Sequence, residues 1–492
     1  MATKNYTTKT ASLRATKADI RNLDAKKIKL NGEQIPSKVL DDRGDFVTDQ
    51  DLWGTTITTD ENGVVHVSHK FLSNPNSGSA WNNSVKSVKD NKAYISTDAS
   101  GEPLCNIQTE MINNGYNMFY NSYLTSFNSD LSSLTNGSNM FNNCKNLTSF
   151  NSDLSSLING DGMFGLSELT SFDSALSSLT NGHAMFYETN LNSFDGDLSS
   201  LTDGRAMFCR TPLTSFIGGL SNLFIGNQMF QSTSLTSFNS DLSSLTNGTT
   251  MFQYTSLASF SGDLSSLTNG NNMFSNTSLT SFDNDLNSLI DGYMMFKNTS
   301  LTSFSADLSS VTDGGHMFSN THKRGYTISH YKMVDGAKTQ VTEHFRAEGL
   351  TSFSGDLGSL HSGYEMFGNG SDVTYTNEEG VTETTKDITP LNEQSVMIIA
   401  DTIKDLNGFT DWDSSISSSR RGVIHIGYDT TVCDAAKIEE YCTEIMNKGW
   451  TVYLNGTLQT TDEGIEGIAT ADEDGTITVT PVPYYCKPVV VD

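Results

Sequence analysis

The sequence predicts a mainly β repeat solenoid of 22-residue units with some α structure. A small N-terminal adaptor precedes it, and a C-terminal helix-containing α/β cap follows. Three observations predict this. Met-Phe pairs recur eleven times, first at Met118-Phe119 and last at Met366-Phe367, with a step of 22 residues except one of 23 and one of 49. Leucine and phenylalanine hold fixed places around each pair. Only 36% of the 492 residues are hydrophobic, which suits a stack whose core is one side chain wide, because such arrays grow in one dimension.

The clearest unit is LTSFNSDLSSLTNGTTMFQYTS, residues 235–256. Leu235 and Phe238 open a short extended segment, and Leu242 and Leu245 return to the same interior. Asn247-Gly248 is expected to turn the chain through positive φ, which Gly and Asn tolerate. Met251-Phe252 then fills the far side. One unit cannot bury these side chains alone, so stacked copies must align each apolar position into a ladder.

A period of 22 falls in the leucine-rich range. Phe238, Leu242, Leu245, Gly248, Phe252 and Leu257 resemble the BspA-like (Treponema-type) leucine-rich repeat, with Met-Phe where that family has Ala-Phe. Cys144, in MFNNCKNLTSF, falls on the family's cysteine position. The resemblance covers about half the chain and implies a leucine-rich-repeat solenoid. Ser and Thr replace many aliphatic strand residues, so the strand face is expected to be polar and small.

An aspartate recurs once per unit at Asp130, Asp153, Asp197, Asp241, Asp263, Asp285, Asp307 and Asp356, with Ala175 and Gly219 breaking the row. Two readings stand: a calcium-recruiting carboxylate row, or residues that cap local backbone amides. The six cysteines show no CxxC and no zinc spacing; Cys144 and Cys209 read as small buried fillers and not as bridges. Nucleophile elbows, phosphate loops and zinc clusters do not occur. The expectation is therefore no catalytic centre, no cofactor and no metal site.

Residues 1–50 read as an adaptor: a helical stretch from Ala11 to Lys27 carrying Leu13, Ile20 and Leu23, then a strand through Ile28 and Leu30 turning at Asn31-Gly32. These five apolar residues are the candidate docking positions. Residues 51–117 read as β-rich, around a turn at Glu61-Asn62-Gly63, with degenerate capping repeats. The solenoid spans 118–388, with insertions near 321–347 and 368–388. The first insertion gathers His322, Lys323, Arg324, His330, Tyr331 and His344 in an acidic array. These are the candidate ligand contacts, because insertions in repeat arrays project as loops from one face. Tyr326–Ile328 and Gln340–Thr342 are expected to pair around Asp335-Gly336.

Residues 389–456 change character. Val396, Ile399, Ile403 and Leu406 mark one helical face; Val423–Gly427 reads as a buried strand; Ala435, Ile438, Cys442 and Ile445 mark a second helix; Gly449–Val452 starts a strand. This order, with AAKIEEYCTEIMNKGWTVYLNG, resembles the helix-bearing units that close leucine-rich arrays in phage virion proteins and gut-bacterial adhesins. Residues 457–492 read as a hairpin around Asp474-Gly475 and a tail.

The formal net charge is −27, from 57 acidic and 30 basic residues, which argues against binding nucleic acid through phosphate neutralisation. Fourteen of the basic residues precede position 93, so a relatively basic head suggests docking. No apolar leader or run of 18 apolar residues is visible, which points away from membrane insertion. Together with the two resemblances, these features imply a structural protein of the phage virion exterior, a head or tail fibre or decoration. Its N-terminus would meet capsid, portal or tail proteins, its copies would form a homo-oligomer (a trimer by analogy with fibres), and its solenoid would meet a host surface glycan or protein. The alternative is an adhesin on the bacterial cell surface.

Overall fold

In the computed structural model the described residues are the short strands at 29–30, 33–34, 56–59, 65–68, 87–89, 92–94 and 105–108, then 113–461 with small gaps (122–123, 125, 128–129, 323, 377–380, 413 and 415), and the strands at 468–471, 477–480 and 486–488. The chain divides into two units, residues 1–223 with 331–339, and 224–330 with 340–492. Leu13, Ile20, Leu23 and Ile28 lie outside the described residues. Leu30 closes the strand Lys29–Leu30, which pairs antiparallel with Glu33–Gln34; the expected turn at Asn31-Gly32 lies outside the described residues.

In the first unit, Thr56–Thr59 and Val65–Ser68 pair antiparallel, as the sequence suggests. They join Cys105–Gln108, Lys92–Tyr94 and Ser87–Lys89 in a five-stranded sheet. Repeats follow from residue 113, where Asn114 bridges Asn136 in parallel.

The repeat has the same anatomy in both units. Its strand is only two or three residues long, such as Ser237–Phe238, and pairs parallel with the strand 22 residues later, Ser259–Phe260. Serine faces out and phenylalanine faces in, so the polar strand face is as expected. Leu235, Leu242, Leu245, Met251 and Phe252 are fully buried, each worth about 1.5–3 kcal/mol of apolar transfer. Two phenylalanine columns fill the middle. Phe252 stacks on Phe274 with centroids 5.6 Å apart, Phe238 on Phe260 at 5.7 Å, and Phe238 meets Phe252 edge-on at 4.8 Å. Such offset and edge-to-face pairs add to simple burial.

The turn corrects one expectation. Asn247 and Gly248 do not carry positive φ; Thr250 (55°) and Tyr254 (59°) do, and the same two places are left-handed in repeat after repeat. The hydrogen bonds explain this. The amides of Gly248, Thr250, Phe252 and Tyr254 donate to carbonyls of the next repeat at 2.9–3.2 Å, while Met251 and Gln253 donate three residues back. Alternating handedness sends alternate amides outward and inward, and these six donors are satisfied. Gly248 is glycine for a different reason: a Cβ there would sit 2.9 Å from the Met273 sulfur.

In the second unit the 22-residue steps lead to two larger units. Helix α1, Glu393–Thr402, is capped by Asn392, whose side chain accepts from the Ser395 amide. It ends sooner than expected: Ile403 is its C-cap and Leu406 lies beyond, although both stay buried. Helix α2, Ala435–Asn447, is capped by Asp434 and buries Ile438, Cys442 and Ile445. The strands Val423–Ile426 and Thr451–Leu454 pair in parallel on either side of it, and Gly363 bridges Ile424, which joins the last short repeat to this sheet. Beyond them, Ile468–Ala471 and Ile477–Thr480 form the expected hairpin.

Candidate ligand-binding face

Most repeat columns have a structural task. Each row aspartate accepts from the backbone amide two residues ahead, as Asp197 does from Ser199 at 2.9 Å and Asp241 from Ser243 at 2.8 Å. The hydrogen bonds of Ser155 to Asp153, and of Ser199 to Asp197, hold both carboxyls below the usual range. The geometry favours the capping reading of the row. Asp285, Asp307 and Asp356 do line an open groove of ≈ 560 Å³ with Asp283. Among the described residues, however, no three His, Cys, Asp or Glu side chains converge where a metal ion could be held. Exposed threonines hydrogen-bond the preceding repeat, as Thr268 Oγ1 does to the Thr246 carbonyl at 3.0 Å. Buried threonines such as Thr255 tie down the phenylalanine carbonyl three residues back at 2.8 Å. Cys144 stands in that buried column and points its Sγ at the Phe119 carbonyl, 3.0 Å away. Cys209 is likewise a buried thiol outside any disulfide, with burial pushing its pKa up to about 12.

The columns that vary lie in the turn. In Gly-x-x-Met-Phe-x-x, glycine, methionine and phenylalanine hold in all eleven copies, whereas the residue after glycine is Tyr116, Ser138, Asp161, His183, Arg205, Asn227, Thr249, Asn271, Tyr293, Gly315 or Tyr364. In the first unit this column carries charge: His183 Nδ1 lies 2.9 Å from Asp161, and Arg205 pairs with Asp203 at 2.7 Å. The Asp161 hydrogen bond raises the His183 pKa.

In the second unit a row of aromatic rings appears. Tyr293, His316, Tyr364, His425 and Tyr453 come from five successive rungs, with ring centroids 5.4, 5.6, 5.1 and 4.3 Å apart in turn. His425 and Tyr453 face each other in strand register. Gly315 leaves a slot that Arg420 fills from a distant loop: a Cβ on Gly315 would lie 2.1 Å from the guanidinium. Arg420 sits over the Tyr293 ring at 4.9 Å and reaches both Asp313 oxygens, at 2.7 and 2.9 Å. Burial raises the Asp313 carboxyl, against the pull of the Gly315 amide and Arg420. Glu365, 3.0 Å from His316, is brought down to about 2 because that hydrogen bond and charge outweigh burial. His425 is 7% exposed with neither ring nitrogen hydrogen-bonded, and burial holds its pKa down at about 4.

The first insertion does not project as a loop. Its strands Arg324–Val334 and Ala337–Ala347 are far longer than expected and turn at Asp335-Gly336, both at positive φ. In the second unit Ile328 and Ala347 are fully buried, and the Tyr326 hydroxyl donates to the Thr277 carbonyl at 3.1 Å. In the first unit Lys338 donates to the Glu188 carbonyl. Three proposed contact residues are therefore buried. His322 lies 3.4 Å from Asp387. Arg324 donates to Asn298 and the Asn320 carbonyl, and burial lowers its pKa. His330 lies 3.4 Å from the Ser256 hydroxyl. Tyr331 is half-buried under Lys338, His344 is exposed, and Lys323 lies outside the described residues. The second insertion is also a hairpin, Asp372–Thr376 with Thr382–Lys386. The turn columns were missed in the sequence, although comparing the eleven copies position by position separates them from the fixed ones.

The family described as BspA type leucine rich repeat region matches residues 104–203 and 202–324, in 6 copies. That match, the aligned short strands and the 22-residue spacing support a BspA-like leucine-rich-repeat protein, mainly strand with few helices. No curated protein and no solved structure matches the chain. Among the described residues, no helix is long and apolar enough to cross a membrane.

Proposed function

We propose that the chain is a solenoid scaffold of the virion exterior, a head or tail fibre or decoration, which holds a variable face toward a host-cell surface and has no reaction of its own. The observation that carries the binding role is the division of labour within the repeat. The strand and Met-Phe columns are fixed by packing, and the aspartate and threonine columns are held by hydrogen bonds with a few exceptions (Ala175 and Gly219 in the first, Ile158, Phe224, Ile290 and His361 in the second), whereas four turn positions change from copy to copy. Fixed columns build a frame; variable ones on one face are where recognition is tuned. Repetition supplies multivalency, so a weak contact made by many copies becomes a firm one.

The virion setting rests on the basic head and on the resemblance of residues 389–456 to closing units found in phage virion proteins, units that gut-bacterial adhesins share. On this reading residues 1–50 dock to capsid, portal or tail proteins, and the chain forms a homo-oligomer. The second reading, a bacterial surface adhesin, is favoured by the BspA type of the matched repeats. Mass spectrometry of purified particles and of washed host cells separates the two. Tens of copies per particle, released by deleting residues 1–50, support the virion reading. Presence on cells and absence from particles overturns it in favour of the adhesin.

A further inference from the structure

We infer that the aromatic strip of the second unit is a binding site for a neutral glycan chain. The inference rests on the adhesion reading above and deepens it. The strip differs from the other turn positions in chemistry. Elsewhere in the second unit the residue after glycine is Asn227, Thr249 or Asn271, small and polar. From Tyr293 onward each rung supplies a ring, and the run continues without a break through His425 and Tyr453 of the two larger units. Rings so spaced match a polysaccharide, in which each sugar advances the chain by roughly one rung, about 5 Å. The apolar C–H face of a pyranose stacks on an aromatic ring, while its hydroxyls need charged or polar partners between the rings. Arg420 and Glu365 stand at those intervals, tied to Asp313 and His316 respectively. Both are thus held in place before a ligand arrives, which reduces the ordering cost of binding.

A second, independent observation comes from within the strip. His425 is more than nine-tenths buried between Tyr364 and Tyr453, and both its nitrogens lack a hydrogen bond. Buried polar groups are nearly always paired, so His425, able to donate from one nitrogen and accept at the other, suits a hydroxyl ligand that reaches it by parting the flanking Tyr364 and Tyr453 rings, which cover both nitrogens. Charge selects against acidic sugars. Asp313 already neutralises the Arg420 guanidinium, Glu365 is a carboxylate, and the chain carries a net −27. An extended peptide fits less well, since it reads pockets at alternate positions along a sheet edge, not a row of rings.

The test is affinity electrophoresis of the full chain in gels containing dextran, mannan, laminarin or arabinogalactan, with polygalacturonate as the acidic comparison. The variants are Tyr364→Ala, Tyr453→Ala and Tyr364→Phe, with His344→Ala on the exposed hairpin as control. Expected is retardation of the wild type by at least one neutral polymer. Each alanine variant should weaken it about tenfold, about one hot-spot contact, while Tyr364→Phe and His344→Ala bind nearly as the wild type. Circular dichroism and melting temperature show whether the alanine variants are folded; if one is not, the comparison of the other alanine variant with wild type decides. Retardation by polygalacturonate alone, no retardation by any neutral polymer, or folded alanine variants that bind like the wild type overturns the inference. Adsorption of the same proteins to host cells keeps the two readings apart. Undiminished adsorption of the alanine variants leaves adhesion standing and removes the strip, whereas no adsorption of the wild type removes adhesion itself.

Discussion

Two substitutions of opposite sign test how the repeat turn is built. In the first unit, a Cβ on Gly137 would lie 2.7 Å from the Met163 sulfur, 3.2 Å from its methyl group and 3.3 Å from Leu134 Cδ2, all fully buried atoms of a packed column. Ala184, by contrast, sits in a left-handed conformation at φ 49°. Gly137→Ala gains about 0.4–1 kcal/mol from a less flexible unfolded chain. It loses about 1–3 kcal/mol by overpacking, for a net loss of about 1–2 kcal/mol. Ala184→Gly relieves about 1–2 kcal/mol of left-handed strain and loses the same 0.4–1 kcal/mol, roughly, in the unfolded state. The net gain is about 0.5–1 kcal/mol. Urea unfolding followed by circular dichroism measures both, read as midpoint shifts because long repeat arrays need not unfold in two states. Gly137→Ala at or above wild-type stability would refute the close-approach argument, and a destabilised Ala184→Gly would refute the alternating-handedness argument.

Three further outcomes follow from the geometry. Gly219→Asp restores the row aspartate where contacts are an ordinary 3.7–3.8 Å, and should stabilise by about 0.5–1 kcal/mol through a new cap on the Ser221 amide, measured as a raised midpoint. His425 is held neutral near 4 while an unfolded histidine takes its proton near 6.5. Stability should therefore fall as pH drops through that window, by at most about 3 kcal/mol. Burial dominates over the nearby Glu365, His316 and Asp387, and His425→Phe should flatten the dependence between pH 6.5 and 4 in a melting series. Arg420→Ala strands a half-buried Asp313 and should cost about 1.5–3 kcal/mol. Gly315→Ala expels the same guanidinium, so the double variant should cost little more than either single one; full additivity would show that the slot and the arginine act separately.

The scaffold was legible in the sequence because its signals are local and repeated. Leu242, Leu245, Met251 and Phe252 recur at one spacing and become one ladder, and Ala435 with Ile438, Cys442 and Ile445 announces α2. What was not legible depends on contacts between rungs. Thr250, Tyr254, Ala184 and Met294 carry no local preference for left-handed backbone, and only the hydrogen bonds to the next repeat impose it. The first insertion was read by composition, where histidine and positive charge suggest an outward loop. Its alternation, with Arg324, Tyr326, Ile328 and His330 all buried, follows the period of a strand with one covered face, which composition conceals. Gly315 and Arg420 are more than a hundred residues apart, and neither has a local signal that names the other.

That slot has a consequence for how the chain finds its structure. Rungs so nearly alike give the arriving C-terminal segment many near-equivalent places to dock, each displaced by 22 residues and each with good apolar contacts. Such ambiguity slows folding and populates misaligned forms. Of the eleven residues that follow the turn glycine, only Gly315 leaves room for a guanidinium, and Asp313 beside it supplies the matching carboxylate. One arginine and one missing side chain thus act as a key and keyway, distinguishing the correct alignment from its neighbours where the apolar ladder cannot.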